Sequence, residues 1–245
     1  MTDRPPATAP VSLSLASRLT TPDHMARLAR VVIPGVAHHV TQRGNGQQRT
    51  FDSAGDYALY LRLLRAGCER ASVVCLAYCL MPNHVHLILV PQSTDGLRDG
   101  LALTHRAYAG ILNARRGVTG HFWQERFGSV VMDDDHLFQA LRYVLLNPVR
   151  ARLVRTAADW RWSSARAYLA RRSDTITDTA RMLPAIADVP AYLAAAPDDT
   201  RLRRIRAGET CGWPAAEPPM LEHFEAITQR RLRPQRPGPP PRALR

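Results

Sequence analysis

The chain has 245 residues, 45% of them hydrophobic and 22% charged, an ordinary globular composition that excludes a wholly disordered, collagenous or disulfide-scaffold protein. Thirty-three basic residues against twenty-one acidic ones leave a formal charge of +12, a field that attracts polyanions and makes nucleic acid the leading class of partner. Every basic residue is arginine; guanidinium groups suit bidentate contact with phosphates and guanine edges, and GC-rich coding is the competing explanation.

Residues 1–24 are rich in Thr, Ser, Pro and Ala without a period, and read as a disordered N-terminal segment. Met25 opens MARLARVVIPG, which reads as the entrance of the domain, and Met25 rather than Met1 is the expected start. No apolar run approaches the ~20 residues that cross a bilayer, and Pro5, Pro6 and Pro10 break any signal-peptide pattern. The expectation is a cytoplasmic protein, nucleoid-associated when bound to DNA, with no membrane partner.

Proline frames the compact part: five lie in residues 1–34 and eleven in 184–245, with only Pro82, Pro91 and Pro148 between. Within that frame VAHHVTQRG alternates as a strand, GNGQQ follows as a turn, and AGDYALYLRLLRAGCERA places Tyr57, Leu61 and Leu64 on one helical stripe. VVCLAYCL and HVHLILV are two β-rich runs around Met81, Pro82 and Asn83, the pattern of a tight antiparallel hairpin. GLRDGLALTHRAYAGILNARRG repeats Leu97, Leu101, Tyr108, Ile111 and Leu112 at helical spacing. RFGSVVMD is a fourth strand, and DHLFQALRYVLLN a third helix that Asp134 or Asp135 caps and Pro148 stops. The order βαββαβα predicts an α+β fold, a ferredoxin-like four-stranded antiparallel sheet with helices packed on it. A partly helical extension is expected over 171–228. Residues 229–245, with six arginines and no acid, are expected to be a disordered basic tail.

His84 and His86 are two apart in a strand, so both imidazoles project from one face while Val85 points to the other. Two neutral imidazoles side by side make a pair of ligands for a divalent cation, although such a pair alone is more often structural. In the third helix Leu137, Phe138, Leu141, Val144 and Leu145 form one apolar arc at 100° per residue. Tyr143 lies nearly opposite that arc, with Asn147 one turn on and Ala140 and His136 on the same stripe. An exposed surface tyrosine and a functional one are both compatible with that position.

These residues resemble the single-tyrosine HUH transposases of insertion sequences, and in particular the REP-associated tyrosine transposases. The resemblance rests on CLMPNHVHLILV, on GHFWQERF before the fourth strand, and on LRYVLLNPVRARLV followed by DWRWSSARAYL. It spans about residues 25–170, which it marks as the transposase domain; AITQRRLRPQRPGPP looks like the basic extension of longer members. It implies that His84 and His86 match the metal-binding pair, Tyr143 the nucleophile, and Asn147 the polar third ligand. It further implies a metal-dependent nuclease and strand transferase acting on single-stranded or hairpin DNA, with a 5′-phosphotyrosine intermediate and a free 3′-hydroxyl. Mg²⁺ or Mn²⁺ is the expected ion, Mn²⁺ being better matched to imidazole. Glu125 departs from the pattern, since many relatives have Gly there.

Arg43, Arg126, Arg142, Arg150 and Arg152 flank the motifs in sequence, as does Arg155, and are candidates for DNA phosphate contacts; each is equally at home as a solvated charge. A zinc site from Cys75, Cys79, His84 and His86 is disfavoured, because residues four apart on a strand are ~13 Å apart. The four cysteines read as reduced core thiols. Phe122 and Trp123 read as a plug at the sheet edge before base-stacking residues. Two other classes stay in view: a non-catalytic structured-DNA-binding protein that keeps the fold, and an RNA-binding ferredoxin-like module, which would show paired aromatics on its central strands. Monomer and homodimer are both compatible with the sequence.

Overall fold

The computed structural model describes residues 30–233; the expectations for residues 1–24, for the start at Met25 and for the tail from residue 234 onward lie outside them. Four strands form one antiparallel sheet in the order β2-β3-β1-β4, where β1 is His38–Arg43, β2 is Val73–Met81, β3 is His84–Pro91 and β4 is Gly128–Val131. Helices α1 (Ala54–Arg70) and α2 (Gly96–Arg116) cover one face, and α3 (Asp134–Arg150) the other. The ferredoxin-like α+β expectation and its strand and helix order are therefore observed.

The hairpin of β2 and β3 turns through Pro82 and Asn83, and both strands read as near-continuous apolar runs because both sheet faces are covered. Alternation still sorts them. Val85, Leu87 and Leu89 enter the core under α1 and α2, whereas Ile88 and Val90 enter the core under α3. By the same parity His84 and His86 belong to the α3 face.

Ser53 and Asp56 form a capping box that starts α1. The two helices cross closely at glycines: a Cβ on Gly67 would lie 2.4 Å from the Gly100 carbonyl oxygen. The cap of α3 is Asp133, not Asp134 or Asp135; its carboxylate accepts from the His136 backbone N–H at 2.9 Å and the Glu217 N–H at 2.6 Å. Pro148 does not stop α3 either. It sits within the last turn, where a missing N–H removes one hydrogen bond, and the helix closes at Ala151, whose N–H reaches the Asn147 carbonyl at 2.9 Å.

Beyond α3 the chain continues through α4 (Ala165–Leu169), α5 (Val189–Ala194), α6 (Asp199–Cys211) and α7 (Pro218–Thr228). Leu202 and Ile205 of α6 share a core with Val130, Leu141 and Val144, so α6 lies beside α3 on the same face of the sheet. Gln229 to Arg233 belong to the fold rather than to a solvated tail: Leu232 is buried with Phe224 and Val31, and Arg233 pairs with Glu222 and Glu225. Composition hid this because one leucine and two acids of α7 are enough to anchor five residues. Among the described residues no helix is long and apolar enough to cross a membrane.

Candidate active site

The seam between α3 and α6 lies over the middle of the sheet, and the polar residues of β1 and β3 open into it. His84 and His86 stand side by side there, ring centroids 4.9 Å apart. Each has its Nδ1 already engaged. His84 Nδ1 donates to Asn83 Oδ1 at 2.6 Å. The Asn83 amide nitrogen in turn donates to the Gln47 carbonyl at 3.3 Å, which fixes the orientation of the amide. An amide oxygen only accepts, so the hydrogen of neutral His84 is on Nδ1 and its lone pair on Nε2. Burial, with Arg43 adding to it, pushes His84 down to about 4. Burial and the neighbouring His39 and His84 put His86 well below the usual imidazole range, so both rings are neutral at pH 7.

His86 Nδ1 is 3.0 Å from His39 Nε2. The strand reading of VAHHVTQRG did not single out His39, because one histidine of an adjacent pair has to face each side of the sheet. His38 takes the other side, bonded through Nδ1 to the Val36 carbonyl at 2.8 Å, and is structural. His39 is wholly buried, which pushes it down to about 4.

Tyr143 is half-buried and meets this group edge-on, its ring centroid 5.5 Å from His86 and 6.2 Å from His39. The leucine arc of α3 packs on the sheet and the C-terminal helices, and the face opposite that arc borders the seam, with Tyr143 partly covered and Arg150 exposed. Two guanidinium carbons lie over the ring, Arg150 at 4.8 Å and Arg206 of α6 at 5.2 Å. Asn147, one turn past Tyr143, is 9% exposed, and its amide nitrogen has no hydrogen-bond partner among the described residues.

The expected arginines separate. Arg43 is exposed at the end of β1, opposite His84 in the strand register. Arg126 is exposed just before β4 and shares a small cleft with Arg30, Phe127 and Glu209. Arg152 is exposed in the turn after α3, at a left-handed φ of 57°. Arg142 is not brought to the site: it is 7% exposed, and its guanidinium reaches the Tyr192 and Ala195 carbonyls and the Gln139 side chain, clasping α3 to α5. Glu125 is exposed, its carbonyl accepting from Gln42 Nε2 at 2.9 Å. Phe122 is buried against Tyr108, and Trp123 Nε1 donates to the His105 carbonyl at 3.0 Å, so both are committed to packing. The cysteines are free thiols, with Cys68, Cys75 and Cys79 buried.

Sequence reasoning also missed Glu209 of α6. Its carboxylate lies 3.4 Å from His39 Nδ1, and burial pushes it up to about 7 against the pull of Arg206 and Arg43. His39, His86 and Glu209 offer ligand-type atoms within 4.8 Å of one another. Nothing in DTRLRRIRAGETC separates this acid from the exposed charges around it.

No family model matches the chain. Over 130 residues it is 28% identical to a Haemophilus influenzae protein named as a REP-associated tyrosine transposase, a match covering 48% of this chain and 74% of that one. The solved structure of a REP-associated tyrosine transposase bound to a REP hairpin superposes with a TM-score of 0.52 at 19% identity, covering 63% of this chain and 93% of the other. The structural likeness speaks for the fold, and the named relative bears out the resemblance carried by the motifs.

Proposed function

We propose that this relative of the REP-associated tyrosine transposases cleaves and rejoins single-stranded, hairpin-flanked DNA through Tyr143. The observation that carries the proposal is the edge-on approach of the Tyr143 ring to His86 at 5.5 Å, beneath two guanidinium groups, in a chain of net charge +12. In the step proposed, Tyr143 Oη gives up its proton and bonds to a backbone phosphorus, the bond from that phosphorus to the 3′-oxygen breaks, and the 3′-oxygen takes up a proton, through water, to leave as a 3′-hydroxyl. Rejoining is the reverse.

The donor set suits a divalent cation. Each histidine of the pair has its Nδ1 committed to a neighbour, as metal-binding histidines generally do, which leaves Nε2 of His84 and of His86 as the free donors. With the Asn147 amide oxygen they would hold Mg²⁺ or Mn²⁺, imidazole favouring Mn²⁺. Such an ion supplies positive charge to a phosphate that gains negative charge in the transition state. The neutral ligands would leave that charge undiminished. Arg43, Arg150 and Arg206 would neutralise and orient the phosphates on either side, whereas Arg142 is occupied in packing.

Incubating labelled hairpin-flanked single-stranded DNA with the full chain, with and without Mn²⁺, tests this. The expected result is an SDS-stable protein–DNA adduct and a free 3′-end, only with the ion. Tight hairpin binding without any adduct would instead identify a non-catalytic DNA-binding protein.

A further inference from the structure

His39 and Glu209 are the two groups of the seam for which the proposed chemistry has no use. The planes of the His39 and His86 rings differ by 1°, and their centroids are 5.2 Å apart while the facing nitrogens are 3.0 Å apart. Parallel rings with nitrogens that close lie end to end in one plane, so a single N–H runs from one ring to the lone pair of the other. Two ligands converging on one ion would instead aim both lone pairs at a third point. The group is a hydrogen-bonded row, not a chelate.

The far end of the row is open to one neighbour. His39 Nδ1 and Glu209 Oε1 are both buried without another hydrogen-bond partner among the described residues, and they lie 3.4 Å apart. Closing that gap by about 0.5 Å makes an ordinary hydrogen bond. The helix is seated to allow this: a Cβ on Gly208 would come within 2.6 Å of the Trp213 carbonyl oxygen and 2.8 Å of Val130, so only glycine lets α6 lie this close to β4 beside Glu209.

We infer that Glu209 is a positioning residue, which through His39 holds His86 with its hydrogen on Nδ1 and its Nε2 lone pair free on the face shared with Tyr143. An ionised carboxylate only accepts, so with Glu209 charged His39 Nδ1 is the donor and His39 Nε2 the acceptor; His86 Nδ1 must then supply the hydrogen between the rings. That is the state Asn83 imposes on His84. Without the carboxylate, His39 is free to reverse its tautomer and donate from Nε2, which forces the His86 hydrogen onto Nε2 and closes that nitrogen to a cation. The inference rests on the proposed function for the use of His86, but not for the row itself.

The test uses the full chain, free of metal at pH 8, with ¹⁵N-labelled histidine. Long-range ¹H–¹⁵N correlation should show His86 with hydrogen on Nδ1 in the wild type and in Glu209→Gln, whose amide oxygen still accepts, and a mixture in Glu209→Leu. Calorimetric Mn²⁺ affinity should fall about ten- to a hundred-fold in Glu209→Leu and only a few-fold in Glu209→Gln. Should the leucine variant fail to fold, Glu209→Ala serves with the same readouts. A wild-type His86 carrying hydrogen on Nε2, or a Glu209→Leu spectrum identical to wild type, would overturn the inference. The tautomer is read without metal, so a chain that bound no Mn²⁺ would count against the proposed function while the spectrum still decided the role of Glu209.

Discussion

At the residue scale, Tyr143 makes its contacts through ring carbons, against two imidazoles and two guanidiniums. Tyr143→Phe should therefore abolish the SDS-stable adduct while leaving hairpin affinity within a few-fold; a persisting adduct would move the nucleophile elsewhere. His84→Ala and His86→Ala should each remove Mn²⁺ binding measurable by calorimetry, and Asn147→Ala should weaken it less, an amide oxygen being the weakest of the three donors. A further expectation concerns histidines remote from the seam. Burial pushes His38 down to about 4 and His105 to about 3. Below pH 6.5 the unfolded chain takes up protons that these folded rings refuse, so their contribution to stability is complete above pH 6.5 and is lost as pH falls, down to about 4 for His38 and about 3 for His105. Unfolding free energies from urea titrations should drop across that window with a slope of up to about 1.4 kcal/mol per pH unit for each histidine, and His105→Gln should flatten it. His84, His86 and Tyr143 were legible from the sequence because period two and period 3.6 each put them on a definite face. His39 and Glu209 were not, since their meeting depends on which helix covers β1, and 170 residues of chain separate them.

At the element scale, α3 shows how a correct pattern can misplace a residue. The arc from Leu137 to Leu145 marks the packed face, and the opposite side would be solvent if α3 were the last helix. Instead α6 lies alongside, so Tyr143 is half-covered and the stripe of His136, Ala140 and Asn147 is buried. Helices α1 and α2 follow their patterns because each has a single partner face, and the strands follow theirs because parity divides them between two covered faces, whereas the place of α6 depends on a close approach at Gly208. Gly208→Ala should lift α6 from β4 and cost about 1–3 kcal/mol in denaturant unfolding. It should also weaken Mn²⁺ binding, which Gly67→Ala, equally tight but between α1 and α2, should not. Equal Mn²⁺ affinity in the two variants would detach α6 from the site.

At the scale of the whole molecule, the charge of +12 sets how affinity for DNA responds to salt. Residues 234–245 hold three arginines and no acid. Removing them should lower affinity for cognate and scrambled hairpins alike, and reduce the slope of log K against log salt by roughly 0.7 for each single-strand phosphate that is no longer neutralised. A loss confined to the cognate hairpin with an unchanged slope would show that this segment reads sequence. The order of the sheet has a consequence during synthesis. β1 ends between β3 and β4, both made after it, so it leaves the ribosome with two open edges before either sheet neighbour exists. His39 waits longer still for its carboxylate, because the helix bearing Arg206 and Glu209 is translated after all four of the described strands and after Tyr143. On the proposed function, a nascent chain carries its nucleophile before α6, the helix that completes the seam over it, has been made.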